Sequence, residues 1–183
     1  IVSRDWSSDV CSSDLDEALE NFDAAIRIDP QFVLANWNKC WLLLLSGRLR
    51  EAWPLYEWRW KRSLAPAYPH HPAPLWLGEE PVRGKTVLVQ SEQGFGDVIQ
   101  FCRYVNELQD RGAKVILHTA MPLVTLCQSL KGVESVVADG APLPSVDVRI
   151  PMLSLPLAFK TDLHSIPAKV PYLRAEQIGR AHV

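Results

Sequence analysis

The segment from Lys85 to Val105, KTVLVQSEQGFGDVIQFCRYV, constrains the fold more than any other part of the chain. It predicts a buried strand over residues 86–90, then a Gly-x-Gly turn, then a helix that begins near Asp97. This order is typical of open α/β sheets, in which ligands bind in a crevice at the carboxyl ends of the strands. Gly94 and Gly96 are expected to let the backbone turn sharply and approach a ligand closely.

Several polar groups of this segment are expected to face the crevice. The first free N–H groups of the helix point at a ligand there, with the positive end of the helix dipole behind them. Asp97 is placed to cap those N–H groups or to contact a substrate. Ser91, Glu92 and Gln93 add polar side chains to the same mouth.

The pattern after Lys85 alternates between strands and helices and predicts a parallel sheet. We expect strands over residues 86–90, 114–119, 135–138 and 146–150, and helices over 97–111, 122–130 and 153–159. The consecutive apolar residues Val87-Leu88-Val89 are typical of a strand that is buried on both faces. Gly112 is expected to end the first of these helices.

An internal repeat precedes the α/β pattern. Glu17-Ala18 recurs as Glu51-Ala52, 34 residues later, and Phe22 recurs as Tyr56 at the same spacing. This period predicts helical repeats over residues 16–62, with helices over 16–28, 31–46 and 49–61. Pro54 is expected among the first-turn donors of the last helix, where its missing N–H costs little. Ala52, Trp53, Tyr56 and Trp60 form an apolar stripe at helical spacing, which we assign to the core rather than to a peptide-binding surface.

Residues 63–84 are rich in proline and show no regular period, so we expect an ordered connector pinned by Trp76 and Leu77. The pair His70-His71 has no further ligands at metal-binding spacing and is expected to be an exposed loop pair. Cys40, Cys102 and Cys127 are far apart and lie among apolar neighbours. They are expected to be buried free thiols of a cytoplasmic protein, and we predict no metal site.

Composition excludes several classes of partner. The net charge of −2 gives no basic excess, so nucleic acid is not expected to bind. No apolar run approaches the roughly 20 residues that span a bilayer, so no membrane span is expected. A hydrophobic content of 48% is typical of a globular chain.

The two ends of the chain are related to each other at the level of the encoding DNA. Residues 9–14 can be encoded by GACGTGTGCTCTTCCGAT, and the reverse complement encodes IGRAHV, the sequence of residues 178–183. We therefore expect residues 1–15 and 178–183 to derive from a sequencing adapter and exclude them from fold reasoning. We also expect the natural protein to continue past Gln177 and further repeats to precede Asp16.

Two interpretations of the glycine turn follow from the residues alone. A dinucleotide fingerprint requires a third glycine or alanine where Ile99 stands, and the second strand ends in His118-Thr119, with no carboxylate to bind a ribose. A nicotinamide or flavin enzyme is therefore disfavoured, and no cofactor is expected. A tight turn in which Asp97 only caps the helix remains open.

A third interpretation comes from resemblance. Gly96-Asp97-Val98-Ile99, after the first strand of an α/β domain, is similar to the N-terminal motif of bacterial heptosyltransferase-type glycosyltransferases (family 9). The wider pattern resembles bacterial proteins in which tetratricopeptide repeats are fused to such a domain. It covers nearly all of residues 16–177 and includes WLGEE at 76–80, RGKT at 83–86, EQGFGD at 92–97, QFCRY at 100–104 and LSLP at 153–156.

The resemblance implies a GT-B enzyme, in which residues 85–177 form the Rossmann-like N-terminal domain that holds a sugar acceptor. It implies that Asp97 is the general base, with Glu92 as the alternate base. Gln93 and the amides of Gly94, Phe95 and Gly96 would bind acceptor or phosphate oxygens, and Arg103 would balance an anionic acceptor or lie solvated on the surface. The nucleotide-sugar site would lie past Gln177. The acceptor can be a saccharide, a lipid-linked sugar or a protein.

A different class of function fits the same sequence. The chain can be a protein-interaction module in which the repeats bind a partner and the α/β domain is not catalytic. The sequence names neither the sugar, nor the acceptor, nor a partner of the repeats.

Overall fold

The structure is a computed structural model that describes residues 12–62 and 71–175. The chain divides into two compact units, residues 1–65 and residues 66–183. Residues 1–11 and 176–183, which include most of the expected adapter-derived ends, lie outside the described residues. The same holds for residues 63–70 of the expected connector, including His70.

The first unit is helical in its described part. Helix α1 spans Ser12–Ile28, α2 spans Val33–Leu45 and α3 spans Leu49–Tyr56, and a 3₁₀ helix follows over Glu57–Lys61. Helix α1 begins four residues before the predicted start at Asp16. Helix α2 packs against both α1 and α3. Gly47, with φ of 71°, lies in the turn between α2 and α3, where the left-handed conformation suits glycine.

The core of the helical unit forms around Leu19, Cys40, Leu43 and Ala52. The prediction that the apolar stripe belongs to the core is confirmed for Ala52 and Trp53, which are 0% and 8% exposed. Tyr56 adds an aromatic contact to Trp53, with ring centroids 6.1 Å apart.

The expected position of Pro54 is wrong. Pro54 is the sixth residue of α3, beyond the first four N–H groups that lack a helical partner. Helix α3 therefore lacks the hydrogen bond that residue 54 would donate to the carbonyl of Arg50. The helix ends two residues later, at Tyr56, and passes into the 3₁₀ helix.

The second unit alternates between strands and helices, and the chain is therefore mixed α/β. Strands β1 to β4 span Thr86–Gln90, Lys114–Thr119, Ser135–Ala138 and Val148–Pro151. Helices α4 to α7 span Phe95–Phe101, Tyr104–Asp110, Val124–Gln128 and Leu155–Ala158. Short 3₁₀ helices at Met121–Leu123 and Met152–Ser154 precede α6 and α7.

The four strands form one sheet in the order β3-β2-β1-β4, and all neighbours are parallel. Strand β1 is central, paired with β2 through Gln90 opposite His118 and with β4 through Gln90 opposite Pro151. The first two connections carry the chain from β1 to β2 to β3. The connection from β3 to β4, residues 139–147, then returns the chain to the other side of β1 without a helix.

The sheet is buried on both faces at its centre. Val87, Leu88 and Val89 are each 0% exposed, which confirms the prediction for β1. Alternate residues such as Val87, Val89 and Leu117 belong to one cluster with apolar residues of the helices, namely Val98, Val105, Leu108, Cys127 and Leu155. The helices that follow β1, β2 and β4 thus cover one face of the sheet, since side chains alternate along a strand.

Several predicted boundaries need correction. The helix expected to begin near Asp97 begins at Phe95, and the single helix expected over residues 97–111 is interrupted. Cys102 and Arg103 have ψ of −15° and −27°, values typical of a 3₁₀ turn. The fourth strand lies at Val148–Pro151 rather than at residues 146–150. Among the described residues, none of the helices has the length and apolar character needed to cross a membrane.

Candidate functional site

The carboxyl rim, defined as residues 91–97 together with His118, Asp139 and Leu153, lies where the parallel strands end. Its central turn differs from the expected glycine turn. Gln93 has φ of 60°, in the left-handed region, whereas Gly94 is extended, with φ of −83° and ψ of 166°. Gly96 lies inside the first turn of α4. The sharp turn expected at the glycines is therefore made by Gln93, at a cost of about 1–2 kcal/mol for a residue with a Cβ.

The glycines of the turn leave the backbone uncovered. A Cβ added at Gly96 would meet nothing within 4 Å, and Gly96 is exposed. A Cβ at Gly94 would lie 3.4 Å from the Asp97 carboxylate. The backbone at Gly96 is thus uncovered, and close approach of a ligand to it stays a prediction.

Asp97 is half-buried at the third position of α4 and caps the turn. The backbone N–H of Gly94 donates to Asp97 Oδ2 at 3.1 Å, which is one half of a capping box. Within the described part of the chain, no hydrogen bond to Asp97 Oδ1 is found. One carboxylate oxygen therefore holds the turn, and the other is available at the rim.

Glu92 is buried, with 8% exposure, directly after β1. Its Oε1 accepts a hydrogen bond of 3.0 Å from the backbone N–H of Leu153, in the 3₁₀ helix that follows β4. The carboxylate thus ties the ends of two neighbouring strands together. The contact orients the carboxylate, and the role of Glu92 as an alternate base stays a prediction.

Exposed apolar side chains flank the turn. Phe95 is 52% exposed, and Ile99, one helical turn later on α4, is 38% exposed. Met121, just after β2, is 66% exposed. The rim therefore combines one available carboxylate oxygen and open backbone with an uncovered aromatic face.

Arg103 lies away from this turn and holds the strap, defined as residues 161–175. Its Nη1 donates to the carbonyl of Pro167 and its Nη2 to the hydroxyl of Tyr172, both at 3.1 Å. The Tyr172 hydroxyl donates in turn to the carbonyl of Ile99 at 3.1 Å. In this arrangement Arg103 fastens the strap to α4, and its role in balancing an anionic acceptor stays a prediction.

The sequence reasoning missed an imidazole–carboxylate pair on the rim. His118 Nε2 lies 3.2 Å from Asp139 Oδ1, which joins the ends of β2 and β3. His118 Nδ1 and the Oε1 of its strand neighbour Gln90 are buried and have no hydrogen-bond partner among residues 12–62 and 71–175. The signal for this pair was the polar ending of each strand, because the carboxyl ends of parallel strands meet at one edge.

The remaining titratable groups give no metal or thiol chemistry at the rim. Among residues 12–62 and 71–175, no group of three or more His, Cys, Asp or Glu side chains is placed to hold a metal ion. Burial raises the pKa of Cys40 and Cys102 to about 12 and that of Cys127 to about 11. The three thiols are free and buried, as predicted.

The chain is similar to a curated protein at a distant level. The chain is 29% identical over 99 residues to Protein FlbA of Caulobacter vibrioides; the match covers 52% of this chain and 16% of the relative. The matched part is therefore a small fraction of that protein, and its name states no activity. No family model matches the sequence. No solved structure matches it either.

Proposed function

We propose that this chain is the acceptor-binding part of a glycosyltransferase in which tetratricopeptide-like repeats precede a Rossmann-like domain. The substrates are a nucleotide-sugar donor and a sugar acceptor. The single observation that carries the proposal is the position of residues 91–97 at the carboxyl end of the central strand β1. The 34-residue period and the helical packing of the first unit support the assignment of repeats.

The strand order supports a Rossmann-like sheet. The order β3-β2-β1-β4 corresponds to the first four strands of the Rossmann arrangement. The chain runs from β1 to β2 and β3 on one side of β1, and then crosses to β4 on the other side of β1. The topological switch point therefore lies between β1 and β4. Ligands of such sheets bind in the crevice outside the carboxyl ends of the strands at that point. The hydrogen bond between Leu153 N and Glu92 Oε1 spans this position.

The geometry supports separate roles for the two carboxylates. In the proposed reaction, Asp97 Oδ1 takes the proton of the acceptor hydroxyl while the hydroxyl oxygen bonds to the anomeric carbon of the donor sugar. The bond from the anomeric carbon to the nucleotide diphosphate breaks, and the diphosphate leaves with the electron pair. Asp97 Oδ2 stays bonded to Gly94 N–H and fixes the orientation of the carboxylate. Glu92 acts by positioning, because it is buried against Leu153 N. The open backbone at Gly96 receives acceptor oxygens.

In the proposed enzyme, the nucleotide-sugar binds to a separate donor domain. The proposal therefore holds that this chain alone does not turn over a nucleotide-sugar and needs no metal or organic cofactor. Sugar transfer by residues 16–177 alone would contradict this part of the proposal.

Gly96→Ala tests acceptor binding without disturbing the fold. An added methyl group meets no atom within 4 Å, and alanine is favoured over glycine in a helix by up to about 1 kcal/mol. We expect unchanged or higher stability together with loss of saccharide-induced amide shifts at residues 91–97, measured by NMR with a panel of monosaccharides and their glycosides. Gln109→Ala, on the exposed end of α5, is the matched control. Saccharide shifts that persist in Gly96→Ala would contradict the assigned ligand position.

Asp97 separates catalysis from capping. Asp97→Asn keeps an oxygen that can accept from Gly94 N–H, whereas Asp97→Ala removes it and is expected to cost about 1 kcal/mol of stability. If Asp97 is the base, both variants of the full-length natural protein lose roughly 10²–10⁴-fold in transfer. If Asp97→Asn is fully active and Asp97→Ala loses activity only in proportion to its loss of stability, Asp97 acts as a cap alone.

A second function, a protein-interaction module, is favoured by one observation on the helical unit. Leu34, Trp41 and Leu45 of α2 are 57%, 45% and 75% exposed, and their spacing places them on one face of the helix. Replacement of Trp41 and Leu45 by Ser and Gln should abolish partner capture in this case. A full-length protein that keeps its partners but lacks transfer activity with an intact Asp97 would favour the module over the enzyme.

A further inference from the structure

Two Arg-Gly pairs meet at the opposite edge of the sheet, where β1 and β2 begin. Arg83-Gly84 precedes β1, and Arg111-Gly112 precedes β2. The N–H of Gly84 donates to the carbonyl of Gly112 at 2.8 Å. Gly84 and Gly112 both have positive φ, of 76° and 81°. The paired turns bring Arg83 and Arg111 side by side.

Each arginine is held by a different contact. Arg111 lies flat on Phe159, with its Cζ 4.1 Å from the ring centroid, and this ring packs edge-on against Trp76. Arg83 lies against Gly112, where an added Cβ would come within 3.3 Å of Arg83 Cγ. Stacking and packing of this kind orient the stems and leave the guanidinium N–H groups to contact a ligand.

Both arginines line one open pocket of about 470 Å³ beside the turn that contains Gly78, and we name it the arginine pocket. Its wall includes Trp76 and the acidic residues Glu79 and Glu80. Both carboxylates are already engaged, because Leu77 N–H donates to Glu79 Oε2 at 2.8 Å and Lys85 Nζ lies 3.0 Å from Glu80 Oε2.

The two guanidinium groups have no acidic partner. Among residues 12–62 and 71–175, neither Arg83 nor Arg111 has a carboxylate within 4.0 Å. Two like charges in one pocket repel each other, and a doubly negative oxyanion between them removes that repulsion. Arginine forks also match the geometry of phosphate oxygens and can bind them through two parallel N–H bonds.

We propose that the arginine pocket binds the phosphate group of a small organic ligand. The volume of the pocket falls within the range of roughly 300–1,000 Å³ that small-molecule sites occupy, and exceeds what a free phosphate needs. This site lies at the amino ends of the strands, so it is separate from the carboxyl rim and does not depend on the glycosyltransferase proposal.

The test is calorimetric titration of the full chain with inorganic phosphate and with glucose 6-phosphate, at constant ionic strength maintained with chloride. We expect saturable binding of both, tighter for glucose 6-phosphate. Arg83→Gln and Arg111→Gln should each weaken binding about tenfold or more, the loss typical of a hydrogen bond to a charged group. Arg174→Gln, at an exposed position of the strap, is the matched control and should bind as the parent chain does.

Arg111→Gln could lose binding only because the protein is destabilised when Phe159 loses its stacked partner, and Arg111→Lys controls for this effect. It keeps the charge but not the planar fork, so we expect weakened binding in a protein with an unchanged unfolding transition. Equal binding of inorganic phosphate and glucose 6-phosphate would still support the phosphate site and would restrict it to the oxyanion. Absence of saturable binding, or equal affinity in Arg83→Gln, Arg111→Gln and Arg174→Gln, would overturn the proposal.

Discussion

Gly78 gives the most direct test of the packing that forms the arginine pocket. Its φ is 99°, and a Cβ added there would lie 2.4 Å from the carbonyl oxygen of Ala158 and 2.8 Å from the Ala158 Cα. Both are backbone atoms at the end of α7, so neither can swing aside as the tip of a side chain would. Gly78→Ala therefore requires the turn and α7 to separate.

The magnitude follows from a comparison with Gly84. Gly84 also has positive φ, of 76°, but a Cβ there would meet nothing within 4 Å. Gly84→Ala carries only the left-handed penalty of about 1–2 kcal/mol, partly offset by about 0.4–1 kcal/mol of lost freedom in the unfolded chain. Gly78→Ala adds the overlap with Ala158, and overpacking of this kind costs about 1–3 kcal/mol. We expect Gly78→Ala to be less stable than Gly84→Ala by about 2 kcal/mol.

The assay must report on the α/β unit alone, because a chain with two compact units does not have to unfold in one step. Hydrogen exchange of the β1 amides, at residues 86–90, measures the free energy of opening of this unit. Gly96→Ala is a third variant, with neither positive φ nor a contact within 4 Å, and should not lower protection. Equal protection in Gly78→Ala and Gly84→Ala would refute the reasoning, because the contact with Ala158 would then carry no energy.

Two further predictions concern strain and buried thiols. Gln93→Gly should stabilise the chain by up to about 1 kcal/mol, because glycine adopts the left-handed conformation without strain. Lys160→Gly, at φ of 51° after α7, should stabilise the chain similarly without changing saccharide binding at the rim. If thermal unfolding shows Gln93→Gly to be less stable than the parent chain, the contacts of the glutamine side chain outweigh the strain. The free energy of unfolding should fall as pH rises above 9, because thiols of the unfolded chain ionise near 9.0 whereas the folded thiols stay protonated until the pH nears 11 or 12. The decrease in the free energy of unfolding is at most about 1.4 kcal/mol per pH unit for each thiol. Measured by urea titration at several pH values, it should be smaller in a Cys102→Ala variant. An unchanged pH dependence in that variant would contradict a raised pKa for the Cys102 thiol.

The strands of the α/β unit were predictable because their signal is local. Val87-Leu88-Val89 carries enough consecutive apolar surface to specify a buried strand without knowledge of its neighbours. The mixed α/β class followed from the alternation of such runs with helical patterns. The boundary of α4 was missed because Phe95 and Gly96 are poor helix formers by intrinsic propensity. The cap between Asp97 and Gly94 offsets that disadvantage in the folded chain.

Contacts between residues far apart in the chain could not be predicted from the sequence. The sheet order brings Leu153 to Glu92, and no local pattern encodes this contact. The engagement of Arg103 depends on Tyr172, 69 residues away. The same holds for the pairing of Arg83 with Arg111, which requires β1 and β2 to be neighbours in register.

The turn of the rim carries a strained residue at a position where glycine would fold more easily. A glycine at position 93 would make the turn without the left-handed penalty, and the chain instead has glycines at positions 94 and 96, which adopt ordinary backbone conformations. Gly96 in particular solves no folding problem, because its φ is ordinary and space is open around it. A glycine in the first turn of a helix and a strained polar residue three positions before it both cost stability. A turn whose only task was to connect β1 to α4 would not need either, and both features lie where we propose that a ligand binds next to Asp97.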